Sequence, residues 1–272
     1  MQRQHSTVPA GEQPVRVSIV IPVYNESRRI ADTIEAIAAF LAGTSLDPEV
    51  IVADDGSTDD TREIVARLLP SLPSARLLEL PHGGKARAVL AGLADAGGDI
   101  VGFMDADLAT PLPTLLAAID RIAGGADIVI GSREGPESIR IGEPEYRHLM
   151  GRIFNWIVRT TLLPGIEDTQ CGFKFGRREA WERILPLVRL YRNASEVKQA
   201  RVTAFDVELL YIARRLGLCI DVLPVTWSYG TSSKVNPIRD TLQNLRDVAQ
   251  VWLNGRRGRY EADPGVPAAR RP

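Results

Sequence analysis

A repeating unit constrains this chain more than any other feature: a short apolar run that closes on a polar loop and gives way to helical periodicity. Val17-Ser-Ile-Val-Ile-Pro22 is the first such run, and Ile30, Ile34, Ile37, Ala38 and Leu41 then recur at helical spacing before Gly43. Val50–Ala53 leads through Asp54-Asp-Gly-Ser-Thr58 into a helix over 60–69, and 76–80 leads through Pro81-His-Gly-Gly84 into a helix over 85–96. The run Asp99–Met104 and the run 126–130 flank a helix over 113–123. Five strands alternating with helices predict an α/β chain built on an open, mostly parallel sheet flanked by helices. In such sheets ligands gather at the carboxyl ends of the strands, where these polar loops lie.

The second half is less regular. Helices are expected over 146–161, 177–185, 205–216 and 237–254, with a strand over 219–224. Patterning divides the chain into a disordered tail over 1–14, one domain over 15–236, a C-terminal helix over 237–255 and a disordered tail over 256–272. The 33 basic residues nearly balance the 34 acidic ones, so no global field favours nucleic acid. Cys171 and Cys219 form no CxxC pattern, which argues against a disulfide framework or structural zinc, fits a reducing cytosol, and reads as two small buried hydrophobes. Met1–Pro14 is polar, without the apolar centre of a signal peptide, and no apolar run approaches the roughly 20 residues of a membrane span. A cytoplasmic protein is expected.

Two loops carry charge suited to chemistry. Asp105-Ala-Asp107 follows an apolar strand directly, and in an extended segment the i, i+2 spacing sets both carboxylates on one side. Such a pair suits a hard divalent ion, Mg²⁺ or Mn²⁺, that also binds substrate phosphates; it equally suits a solvated turn in which Asp105 caps the next helix. Asp54-Asp55-Gly56-Ser57 reads alone as a helix-capping loop. His82 and His148 lack a second His or Cys at ligand spacing and receive no role, and Trp227 is expected in the core.

The combination of Pro22-Val-Tyr-Asn-Glu26, Asp54-Asp-Gly-Ser-Thr-Asp59, Gly84-Lys85 and Asp105-Ala-Asp107, in that order, resembles the family 2 glycosyltransferases of GT-A fold. Gly131-Ser-Arg133, Asp168-Thr-Gln-Cys-Gly-Phe-Lys174, Phe205-Asp-Val-Glu208 and Ser232-Ser-Lys-Val235 narrow it to the branch of dolichyl-phosphate β-glucosyltransferases and dolichol-phosphate mannose synthases. The Asp168–Lys174 stretch leans toward the glucosyl side, and Ala109, standing where the mannose synthases usually carry glutamine, tells against a mannose synthase. The resemblance implies that Pro22, Tyr24, Glu26, Asp54 and Asp55 hold the nucleotide base and ribose, and that Asp105 and Asp107 meet ribose, metal and diphosphate. It places Lys85 at the nucleotide and Arg133 and Arg147 near the acceptor phosphate and donor diphosphate, with Ser232, Ser233 and Lys234 on a loop closing over the nucleotide.

The implied activity is inverting transfer of a hexose, from UDP-glucose, to a polyprenyl or dolichyl monophosphate. A phosphate monoester has a second pKa of about 6, so it reaches the site largely dianionic and requires no strong base. Were the acceptor a sugar hydroxyl, Asp206 or Glu208 would be the candidate base, the other reading being plain placement on a core helix. A soluble or polysaccharide acceptor is the alternative, and a non-catalytic nucleotide-sugar binding module a more distant one. A lipid acceptor implies peripheral docking on the inner face of the membrane. For this the helix bearing Ile238, Leu242, Leu245, Val248, Val251 and Trp252, followed by Arg256, Arg257 and Arg259, is the candidate, a core-packed helix being the other reading.

Overall fold

Consecutive apolar residues in a strand place side chains on both faces of a sheet, so runs such as VSIVIPV require cover on both sides. A computed structural model, describing residues 14–72, 74–142, 144–191, 203–229 and 237–261 with the side chains of 147 and 237–240 excepted, has that arrangement. Strands β1 (Arg16–Val23), β2 (Asp47–Asp54), β3 (Ala75–Glu79), β4 (Ile100–Met104), β5 (Ile128–Ser132), β7 (Phe173–Arg177) and β8 (Ile220–Pro224) form one sheet in the order β3-β2-β1-β4-β7-β5-β8. Every pairing in it is parallel except those of β7, which runs antiparallel between β4 and β5. The short strands β6 (Ile139–Ile141) and β9 (Thr226–Ser228) pair beside it.

Alternate residues feed two cores. On one face Val20, Ile51 and Phe103 meet α3 (Lys85–Asp95), α6 (Arg178–Ile184), α7 (Phe205–Arg215) and α8 (Pro237–Arg256). On the other, Ile19, Ile21, Val52 and Met104 meet α1 (Ile30–Ala42), α2 (Thr61–Leu68) and α4 (Thr114–Ala123). The expected strands and helices are all present. Strands β6, β7 and β9 are additions to that expectation, and Cys219 is exposed rather than buried because it precedes β8 at the sheet rim.

The C-terminal region departs from expectation in two places. Val248 and Val251 of α8 are buried in the core beside α7, so part of the apolar face expected to meet lipid is occupied by protein, whereas Leu242 and Trp252 are 54 and 40 % exposed. Residues expected as a tail beyond 255 continue the packing: Tyr260 is 1 % exposed and donates its hydroxyl to Glu208 Oε1 at 2.6 Å. Tyrosine supplies a large apolar ring and one hydrogen bond, which suits it to pin a chain end.

Candidate functional site

Three loops at the carboxyl ends of β1, β2 and β3 are laced together. The loop after β1 begins at Tyr24 and turns at Asn25, which adopts φ 52°, a left-handed conformation that asparagine tolerates. Asn25 N donates to Ser57 Oγ (2.9 Å), Thr58 N donates to Asn25 Oδ1 (2.8 Å), and Glu26 N donates to Thr61 Oγ1 (2.8 Å). Glu26 also pairs with Arg29 at 2.8 Å. Pro22 sits at the end of β1, opposite Ala53 of β2.

Asp54 and Asp55 are both buried, and their oxygens serve the loops. Asp54 Oδ1 accepts from Gly56 N (3.1 Å), Ser57 N (2.9 Å) and Arg62 Nε (2.6 Å). Asp55 Oδ1 accepts from Gly83 N (2.7 Å), and its Oδ2 accepts from Gly84 N (2.8 Å) and from His82 Nδ1 (2.7 Å). A carboxylate that takes several N–H bonds holds its loop rigidly. Gly56, at φ 77°, lets the β2 and β3 loops approach, since a Cβ there would lie 2.7 Å from His82 N.

His82, given no role from sequence, is thus brought to the centre of this corner. Its ring stacks on Tyr24 with centroids 4.1 Å apart and planes 9° from parallel. The signal available was its place between Pro81 and the Gly-Gly pair, in the loop preceding Lys85.

The second cluster forms where β4 ends. Asp105 N donates to Gly172 O at 3.1 Å, so the start of the turn is tied to the residue before β7. The pair Asp105 and Asp107 lies in a tight turn rather than an extended segment: Leu108 takes φ 49° and its N–H closes on Asp105 O at 3.1 Å. A non-glycine residue in that region stores backbone strain, which surrounding contacts must hold. Here Thr33 Oγ1 of α1 donates to Ala106 O at 2.6 Å.

Asp107 is exposed, with Oδ1 accepting from Ala109 N at 3.1 Å. Partial desolvation and the like charge of Asp105 raise its pKa. Lys85, first residue of α3, places its ammonium on Asp105 Oδ1. Desolvation opposes its charge, but Asp105, Asp206 and Asp107 outweigh that and hold its pKa above the ordinary value.

Below this turn lies a buried ion pair. Lys174 of β7 is fully buried, with Nζ 2.7 Å from Asp206 Oδ1, 2.7 Å from Cys171 O and 5.4 Å from the Phe103 ring centre. Burial pushes Asp206 upward against the pull of Lys174 and Lys85. Glu208, two residues on, has a different task. Its carboxylate accepts from Arg189 N (3.0 Å), Leu190 N (2.9 Å) and the Tyr260 hydroxyl, which satisfies it inside the fold.

At the end of β5, Arg133 is held by Asp168 in a two-pronged pair, Nε to Oδ2 at 2.7 Å and a terminal nitrogen to Oδ1 at 2.9 Å. Burial alone would raise Asp168, but Arg133 lowers its pKa to about 2. Trp227 of β9 stands 5.3 Å from the Arg133 guanidinium, half-buried and packed against the edge of the core. Arg147 lies in the first turn of α5 (Glu145–Thr161), and its side chain falls outside the described residues, as do Ser232, Ser233 and Lys234 entirely. The structure therefore brings Lys85, Asp105, Asp107 and Asp206 together, and sets Tyr24, Asp55 and His82 in the neighbouring loops.

A family model described as glycosyl transferase family 2 matches residues 18–185. The chain is 30 % identical over 267 residues to a dolichyl-phosphate beta-glucosyltransferase of Dictyostelium discoideum, covering 92 % of this chain and 79 % of that protein. It is 33 % identical over 254 residues to the Drosophila melanogaster protein of the same name, covering 88 % and 75 %. Among solved structures it resembles glucosyl-3-phosphoglycerate synthase from Mycobacterium tuberculosis in complex with Mn²⁺, uridine diphosphate and glucosyl-3-phosphoglycerate. There the TM-score is 0.61, the identity 26 %, and the coverage 93 % of this chain and 82 % of that one.

Proposed function

The chain belongs to glycosyl transferase family 2, and from that premise we propose that it transfers glucose, with inversion, from UDP-glucose to a polyprenyl or dolichyl monophosphate. The observation that carries the proposal is the convergence of Asp105, Asp107 and Lys85 where β4 ends. Departure of a nucleoside diphosphate leaves negative charge growing on its oxygens, and fixed cations there lower the barrier. The names of the relatives supply the sugar and the lipid phosphate. The M. tuberculosis enzyme, crystallised with Mn²⁺ and uridine diphosphate, supplies the precedent for metal and nucleotide.

The donor set fits a divalent cation. Asp107 is exposed, Asp105 is half-exposed beside it, and two carboxylates leave the remaining positions of a Mg²⁺ or Mn²⁺ ion to water and substrate phosphate. Held by Asp107 with Asp105, such an ion would neutralise the diphosphate leaving group. The protein's own residues do the rest. Tyr24 and the loops braced by Asp54, Asp55, Glu26 and Pro22 receive base and ribose, and Lys85 faces the diphosphate. Arg133, oriented by Asp168, presents a guanidinium near the acceptor phosphate, with Arg147 on α5 and the Ser232-Ser233-Lys234 loop completing the set. A phosphate dianion attacks the anomeric carbon from the face opposite the leaving group, which inverts the configuration. Asp206, bonded to Lys174, contributes fixed charge and removes no proton.

A membrane-bound acceptor calls for a docking face, and α5 supplies the support for one. Tyr146, Leu149, Ile153 and Trp156 are between 53 and 60 % exposed at spacings of three and four, with Arg152 and Arg159 on the same helix. An apolar stripe with flanking cations suits the interface of an anionic bilayer. Among the described residues no helix is long and apolar enough to cross a membrane. We place the protein peripherally on the cytoplasmic leaflet through this face rather than through α8.

A second reading, transfer to a soluble acceptor, is favoured by the phosphoglycerate product in the M. tuberculosis structure. One experiment separates the two. Purified protein with Mn²⁺ and UDP-glucose is offered polyprenyl phosphate or 3-phosphoglycerate, and the products are read by mass. A glucosylated lipid phosphate is expected, and its absence alongside a glucosylated soluble acid would overturn the lipid reading. Asp107→Asn should nearly abolish transfer and Asp105→Asn reduce it less. Full turnover in excess chelator would refute metal dependence.

A further inference from the structure

Lys85 occupies the place where the cation's charge is needed. Its ammonium rests on Asp105 Oδ1, and the carboxylates of Asp206 and Asp107 also act on it. An oxygen already bonded to an ammonium cannot also coordinate a divalent ion at the roughly 2.0–2.2 Å such ions require without two cations being forced together. The ammonium is tethered to the start of α3, behind the rigid loop in which Asp55 holds Gly83 and Gly84, so it is delivered to Asp105 by the fold. Lys174 neutralises Asp206 from below, which leaves Asp105 and Asp107 to share Lys85.

We propose that Lys85 is an internal counter-ion that holds Asp105 in the free protein and excludes a divalent cation from it until a nucleoside diphosphate arrives. The diphosphate oxygens then draw the ammonium away from Asp105, and the carboxylate pair receives the metal that accompanies the donor. No covalent bond changes in this exchange. Metal and nucleotide thus bind with positive coupling, and the coupling is reciprocal. The inference rests on the metal-and-donor reading above and adds an order to it.

Binding of Mn²⁺ to the whole chain, followed by electron paramagnetic resonance of the free ion, tests it. The decisive arm is Mn²⁺ without nucleotide, because UDP chelates the metal in solution. Wild type should bind Mn²⁺ weakly alone. Lys85→Met should bind it at least about tenfold more tightly, equivalent to about 1.4 kcal/mol, while its affinity for UDP falls. Lys85→Arg, which keeps the charge, should behave as wild type. Lys85 is half-exposed, so the fold should accept these changes, and Lys85→Gln provides the same comparison if methionine disturbs it. Lys85 variants that bind Mn²⁺ alone no more tightly than wild type would overturn the counter-ion role. If wild type fails to bind Mn²⁺ even with UDP present, the metal-dependent reading falls, and this proposal with it.

Discussion

Gly172→Ala should disable the site while sparing the fold. A Cβ on residue 172 would lie 2.0 Å from Asp105 Oδ2 and 2.3 Å from its carboxyl carbon. Ordinary contact distances are about 3.5 Å, so the carboxylate must move by roughly 1.5 Å. The atoms displaced are the end of a half-exposed side chain, and Gly172 does not adopt a left-handed conformation, so alanine fits its backbone. Loss of unfolded-chain freedom would offset part of the cost, and net stability should change by about 1 kcal/mol or less. A misplacement of about 1 Å at a reacting centre can cost roughly 10²-fold in rate. The assay is initial-rate glucosyl transfer at varied donor and Mn²⁺, beside thermal unfolding. Added to Asp105→Asn, the glycine change should have little further effect, because both act through one carboxylate. Folded Gly172→Ala protein turning over within threefold of wild type would refute the claim that Asp105 must occupy the space a Cβ denies it.

Three more expectations follow from the same geometry. Asp206→Asn should lose far less than the 10²- to 10⁴-fold that marks removal of a general base, measured per folded molecule. The buried Lys174 it leaves unpaired should lower stability by about 3–5 kcal/mol, and a rate loss of 10³ in folded protein would favour a hydroxyl acceptor. Asp168, with its pKa moved from 3.8 to about 2, contributes stability present above pH 4 and lost as pH falls through 2, on the order of 2 kcal/mol. Urea titrations between pH 5 and 2 should show that loss in wild type and not in Asp168→Asn. Leu149→Asp with Trp156→Asp should reduce cosedimentation with anionic vesicles more than joint replacement of Arg256, Arg257 and Arg259 by Gln. Wild-type sedimentation of the α5 variant would show that another surface meets lipid.

The strands that position the site were legible because they are buried on both faces: β1, β2, β4 and β5 are continuous apolar runs, and helices must cover them. Strand β7 was not. Its sequence, FKFGR, carries a lysine as its second residue, and only the three-dimensional neighbours Asp206, Cys171 O and Phe103 make that charge compatible with complete burial. The carboxylates of the site could be listed from sequence, yet their tasks could not be separated. Glu208 and one oxygen of Asp54 are taken up by backbone amides and neighbouring side chains, whereas Asp107 stands exposed, and no spacing rule distinguishes them. The apolar face of α8 was visible as a periodicity that fits lipid or protein equally well, and packing against α7 takes up Val248 and Val251 while Leu242 and Trp252 stay exposed.

The reversed strand β7 has one more effect, on the spacing of the reaction. Without it, β4 and β5 would be neighbours, and the acidic turn at 105–107 would stand about 5 Å from Arg133; its insertion doubles that interval to about 10 Å. Because β7 runs the other way, what it presents at this rim is its entry, Cys171-Gly172, where the absent glycine side chain leaves the room that the Asp105 carboxylate fills. In the proposed reaction the sheet thereby sets the interval: two strand spacings separate the carboxylates assigned to the departing diphosphate from the arginine assigned to the waiting phosphate.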